Sequence, residues 1–162
     1  MAGAKIDAMT NLHAEAEIRK AVFIRLSPGT DLISGIAAVC RERGIHSACV
    51  ASCIASLRRA SFLVVAPKDN RLGGGYSDPV HIETPVELVS GQGSIGETTG
   101  GELFVHLHAA LSDARGRAYG GHLIQGRCPV LITSEILILP LDGVRLKRIH
   151  DPEVDMPILR PA

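Results

Sequence analysis

The chain has 162 residues, 46% of them hydrophobic and 21% charged, enough apolar material for one packed domain. Lys plus Arg and Asp plus Glu number seventeen each, so no global positive field exists to draw the molecule onto a phosphate backbone or an anionic membrane. With three Phe, two Tyr and no Trp there are few platforms for stacking unpaired bases, and no stretch approaches the roughly 20 apolar residues of a membrane span.

Residues 1–20 are polar and contain no apolar run of signal-peptide length; they are expected to form a frayed helix or an N-terminal arm, and the chain is expected to be cytoplasmic with free thiols. The body, assigned to residues 21–148, starts at "AVFIRL" (21–26), an apolar and partly β-branched run that reads as a strand. In "SPGTDLISGIAAVCRERG" either Thr30 or Asp31 can cap a helix and Gly44 can end it, with Leu32, Ile36, Val39, Cys40 and Arg43 at helical spacing.

Beyond Gly44 the pattern changes to period two or to short apolar runs: "HSACVASCIASL", "RRASFLVVA", "PVELVSGQGSI", "LFVHLHAALS", "YGGHLIQG" and "PVLITSEILILP". Six strands in succession beside a single helix imply an α+β domain with a mainly antiparallel sheet. The stretch "PKDNRLGGGYSDP" (67–79) reads as a mobile loop. The tail from 149 to 162 contains three prolines, which exclude a regular central strand; it is expected to pack on the surface or on a neighbouring subunit.

Three motifs lead elsewhere and are set aside. "GQGSIG" has the glycine spacing of a dinucleotide fingerprint, but the helix whose N-terminus would receive the pyrophosphate is missing, so the glycines are expected where another backbone comes close. The four cysteines form no CxxC pair; Cys49 and Cys53 would share one face of a strand and could offer thiols to a metal, although buried free cysteine is common in cores. "RGR" (115–117) has the core of an AT-hook, yet Ala118 follows where that motif has proline.

The most informative stretch is "FVHLHAALSDARGRAYGGHLIQG" (104–126), which holds three of the seven histidines. Alternation puts Leu103, Val105, Leu107, Ala109 and Leu111 on a core face, and Phe104, His106, His108 and Ala110 on the other. A three-residue loop of Ala114, Arg115 and Gly116, with glycine in the left-handed position, pairs Asp113 with Arg117 and therefore His108 with His122. Cross-strand partners have Cβ atoms ~4.5–5.5 Å apart, with His106 one diagonal away opposite Ile124. Gly120 and Gly126 then fall opposite Ala110 and Phe104, leaving space around the rings. A loop one residue longer or shorter would send His122 to the opposite face.

Three neutral imidazoles at this spacing suit zinc, and equally iron or another first-row divalent metal, with a fourth position free. The same cluster also suits a hydrogen-bonded polar pocket or a subunit contact. Glu135, an isolated charge in "LITSEILIL", and Asp113 are candidates to orient the imidazoles. His13, His46, His81 and His150 sit in polar or terminal surroundings and carry no such pattern.

These residues resemble the PPC domain, the plants-and-prokaryotes-conserved domain, over about residues 20 to 141. The resemblance lies in "FIRLSPGTDLISGIAAVCRERGIHSACVAS", in "VELVSGQGSI" and, most distinctively, in "HLHAALSDARGRAYGGHLIQG" followed by "TSEILIL". It implies a homotrimeric α+β domain whose prokaryotic members are single domains labelled as candidate DNA-binding proteins. It also implies a metal site at His106, His108 and His122, beside the glycine pair Gly120 and Gly121; Phe104 and Glu135 are expected around that site from the strand pattern alone. Two departures are visible: no AT-hook is present, and Ala55 stands in "CIASL" where many members have glycine. The sequence thus supports two readings: a trimeric binding or regulatory module touching DNA or a protein, or a metal-dependent enzyme or small-molecule-binding protein using the same pocket.

Overall fold

The computed structural model describes residues 13–162. Of the arm expected over 1–20, the first twelve residues lie outside the described part. The helix α1 (Leu32–Glu42) starts where Asp31 caps it, one carboxylate oxygen accepting from the Ser34 backbone N–H at 2.9 Å. The other oxygen accepts from the Cys128 N–H at 3.0 Å, so the cap also ties the helix to the segment that leads into β10 (Val130–Pro140). Gly44, at φ +63°, ends the helix as its sequence position suggests.

Against the buried side of α1, namely Leu32, Ile33, Ile36, Ala37 and Cys40, lies one large sheet. Its strands are β1 (Val22–Ile24), β2 (Ala48–Leu57), β3 (Ala60–Leu63), β6 (Val80–Ile82), β7 (Val86–Thr98), β8 (Leu103–Asp113), β9 (Ala118–Leu123) and β10 (Val130–Pro140), in the order β1-β10-β2-β7-β8-β9-β3-β6. All neighbouring pairs in that order are antiparallel. The core face carries Val50 and Leu57 of β2, Leu88 and Ile95 of β7, Ile136 and Ile138 of β10, and Val105, Leu107, Ala109 and Leu111 of β8.

Two hairpins complete the fold where the sequence pattern showed none. The expected loop over 67–79 contains β5 (Gly74–Tyr76), which pairs with β4 (Val65–Pro67) in a separate two-stranded sheet. Past the start of β2, which meets β7 at Ile95, the last residues of β7 are free on that edge. They pair in parallel with β11 (Leu146–Asp151), Lys147 beside Glu97 and Arg148 beside Thr98. β11 pairs in turn with β12 (Met156–Pro161), so the proline-containing tail is an edge strand.

The "GQGSIG" glycines lie inside β7 and serve close approach. A Cβ on Gly93 would stand 1.9 Å from the His106 carbonyl oxygen, and one on Gly96 would meet the Leu146 oxygen at 2.5 Å and a Leu159 methyl at 2.6 Å. Gly96 is therefore what lets the β11–β12 hairpin settle on β7.

Cys49 and Cys53 do not share a face. Irregular pairing of β2 with β7 between Val50 and Cys53 breaks the alternation, leaving both of those residues buried and Cys49 only partly so. Burial pushes the Cys53 thiol up to about 12, and Cys40 and Cys128 up to about 11. These are core residues, not ligands.

Candidate metal centre

The β8–β9 hairpin is built as its loop chemistry dictates. Gly116 holds φ +72°, the Asp113 N–H donates to the Arg117 carbonyl at 3.1 Å, and the Gly116 N–H donates to the Asp113 carbonyl at 2.9 Å. The Asp113 side chain locks this loop: Oδ1 accepts from the backbone N–H groups of Arg115 and Arg117 at 2.9 and 3.0 Å. Oδ2 accepts from Arg117 Nε at 2.7 Å and from the Tyr119 hydroxyl at 3.1 Å. Burial pushes this carboxyl up, but the Arg117 side chain, those two backbone donors and Tyr119 outweigh it and hold the group down at about 2. Asp113 thus fixes the hairpin rather than an imidazole.

In the resulting register His108 pairs with His122 and Ala110 with Gly120. The ladder stops there. Ile124 donates instead to the Ser61 carbonyl at 2.9 Å, and Gly126, at φ +78°, lies in a turn. Neither Ile124 nor Gly126 therefore extends the pairing opposite His106 and Phe104. Gly120 and Gly121 serve strand approach: added Cβ atoms would stand 2.8 Å from the Ala109 oxygen and 2.3 Å from the Leu63 oxygen. That closeness seats β9 between β8 and β3 and brings His122 to β8.

His106, His108 and His122 offer ligand atoms that all lie within 4.8 Å of one another. Their ring centroids are 4.8 to 5.3 Å apart, and His106 Nε2 and His108 Nε2 are at 3.0 Å. Two nitrogens at ~2.0–2.1 Å from a tetrahedral ion stand ~3.3 Å apart, so that pair needs only a slight opening to share one. The Nδ1 atom of His122 is buried with no hydrogen-bond partner among the described residues. Buried polar atoms are normally paired, and an orphan in a histidine cluster fits a cation that the chain would hold. Burial, then the neighbouring imidazoles and Arg148, pushes His122 down to about 4; His106 is lowered by burial, His108 and Arg148. Both rings are neutral near pH 7, the state with a lone pair to give.

A cavity of about 390 Å³ adjoins the cluster, with His106, His122, Phe104 and Ser94 in its lining. Its other walls come from the two unforeseen hairpins: Tyr76 of β5, whose ring is 5.3 Å from that of His122, and Arg148 with Met156, Pro157, Ile158 and Leu159 of β11–β12. The Arg148 guanidinium lies over the Phe104 ring at 4.3 Å. Tyr76 was hidden in a glycine-rich stretch, and Arg148 in "VRLKRIH", whose mixed alternation reads equally as a surface segment. Glu135 is not at this site: it is exposed on β10, paired with Ile54, and β2 and β7 separate β10 from β8.

The remaining histidines with side-chain polar partners have them elsewhere. His46 Nδ1 is 2.7 Å from Glu97, His81 Nδ1 is 2.8 Å from the Ser61 hydroxyl, and His150 is 3.6 Å from Asp155.

Residues 13–142 match the model of the Plants and Prokaryotes Conserved (PCC) domain. A metal-containing protein from Archaeoglobus fulgidus is 28% identical, with a TM-score of 0.78 over 93% of this chain and 99% of that one. A candidate DNA-binding protein from Bacteroides thetaiotaomicron has the same fold at 19% identity, with a TM-score of 0.71 over 92% of this chain and 97% of that one. In sequence, the Bifunctional protein GlmU of Synechococcus sp. (strain JA-3-3Ab) is 30% identical over 129 residues, which are 80% of this chain. The chain spans only 18% of the length of that relative.

Proposed function

The chain belongs to the Plants and Prokaryotes Conserved (PCC) domain family, and from that premise we propose that it is a homotrimeric binding module in which His106, His108 and His122 hold a divalent metal at the mouth of a small-molecule cavity. The observation that supports this most is the orphaned His122 Nδ1 inside a cluster whose ligand atoms lie within 4.8 Å. The metal-containing relative from Archaeoglobus fulgidus is in keeping with it. Zinc is the ion proposed, with iron or another first-row metal as alternatives, because three imidazoles do not choose among them. A bound ion would act as a Lewis acid on an oxygen placed at its open position. Trimer formation is supported by exposed apolar side chains on the sheet: Phe23 of β1, Ile54 of β2 and Val89 of β7 are 65%, 43% and 56% exposed.

Elemental analysis of untagged protein tests the site. About one metal per chain is expected, with His108→Ala losing it; an empty wild type, with ligand binding indifferent to His108→Ala, refutes it. Sedimentation at three times the 17.2 kDa chain mass is expected for the trimer, and a monomer refutes that part.

Two further readings have support of their own. Duplex DNA binding is suggested by the Bacteroides relative and opposed by the even charge balance; salt-sensitive retardation is its test, and no binding at low salt refutes it. A metal-dependent enzyme is favoured by the cavity beside the histidines, which would give a substrate room next to the ion.

A further inference from the structure

We infer that the cavity beside the histidines is selective for a short hydrocarbon monocarboxylate, anchored by Arg148; this rests on the reading of that cavity as a ligand site. Arg148 reaches the cavity from β11 and makes no ion pair with a carboxylate among the described residues. Its Cζ instead lies over the Phe104 ring, 4.3 Å from the centroid, and the Phe104 ring is 6.3 Å from that of His106, so the cation is held two rings from the proposed ion. Stacking on an aromatic face leaves the N–H groups at the guanidinium edge free to donate, and their fork matches a carboxylate in two parallel hydrogen bonds.

The rest of the lining completes the selection. Among the described residues it contains no Asp or Glu to compensate the arginine charge, and a bound metal would add to that charge. A neutral or cationic guest would leave that charge unanswered in a partly desolvated site, whereas an anion answers it. Met156, Ile158, Leu159 and Phe104 supply an apolar wall, which favours a hydrocarbon body over a hydrated inorganic anion. At about 390 Å³ the cavity is near the small end of the usual ~300–1,000 Å³ for ligand sites, which favours a short chain.

The test is calorimetric titration of the full-length protein, zinc-loaded and metal-free, with valerate, with its neutral isostere valeramide and with inorganic phosphate. Valerate is expected to bind at least tenfold more tightly than either of the others. Arg148→Met, which keeps a flexible stem against Phe104, is expected to weaken valerate at least tenfold while leaving valeramide binding and zinc content unchanged; Arg148→Lys is expected to restore part of the loss. Should the chain hold no zinc, the metal reading fails alone, because the preference for acid over amide through Arg148 is read in the metal-free protein. The inference is overturned if valerate does not bind, if valeramide or phosphate binds equally well, or if Arg148→Met binds valerate like the wild type while retaining native circular dichroism.

Discussion

The register that pairs His108 with His122 depends on one backbone angle, and Gly116→Ala measures it. The φ of +72° is in the left-handed region, and an added Cβ would meet nothing within 4 Å, so the whole penalty is backbone strain. That strain is ~1–2 kcal/mol for an L-residue. It is offset by ~0.4–1 kcal/mol because alanine restricts the unfolded chain. A net loss of about 1 kcal/mol remains, and with a urea dependence of about 2 kcal/mol/M the unfolding midpoint falls by about 0.5 M. Gly116→Asn, which tolerates the left-handed region, is expected to lose about half as much. Melts at one fixed protein concentration exclude changes in association. Metal content is expected to stay at the wild-type level in both variants, since loop length, and so parity, is kept. Inserting one alanine after Arg115 changes the parity and is expected to abolish the site. An unchanged midpoint for Gly116→Ala, or an insertion variant that still binds metal, refutes the account of the loop.

Other expectations follow from the same contacts. The Asp113 carboxyl has its ordinary value of 3.8 lowered to about 2 in the fold, so the stability it contributes is complete above about pH 4 and is lost as the pH falls toward 2. Asp113→Asn is expected to flatten that acid limb in pH-dependent melts, and an unchanged limb would show that the hairpin lock is not electrostatic. Gly96→Ala forces the Leu146 carbonyl and Leu159 away from β7, with an expected loss of ~1–3 kcal/mol and faster amide exchange in β11. Exchange that stays at the wild-type rate would place the hairpin elsewhere. Native protein at pH 8 is expected to react with a thiol reagent only at Cys49, because the other three thiols are buried with raised pKa values; labelling at Cys53 without unfolding would contradict the β2 packing.

The match to the Synechococcus relative covers 18% of that protein, so its bifunctional name is not carried over to this chain. The Bacteroides likeness is one of fold, and fold does not bring function with it. What stands on this chain's own residues is a three-histidine cluster beside a cavity lined by Arg148, which has no ion-pair partner among the described residues.

Much of this was legible along the chain because its causes are local. Asp31 and Gly44 mark the helix by capping chemistry, and the alternation of Leu103 to Leu111 separates core from outer face. Gly116 determines loop geometry and so the pairing of His108 with His122, a matter of three residues and one dihedral. What only the tertiary structure decided are relations across distant segments. The irregular pairing within β2 undid the shared face of Cys49 and Cys53, the Ser61 carbonyl drew Ile124 away from β8, and Glu135 came to rest two strands removed from the histidine-bearing hairpin. Above all, Tyr76 and Arg148 reach the cavity from hairpins whose short strands lack a strong period of their own. They are seated by close backbone approach at positions such as Gly96, and the sequence shows that such a glycine is present without showing which strand comes to it.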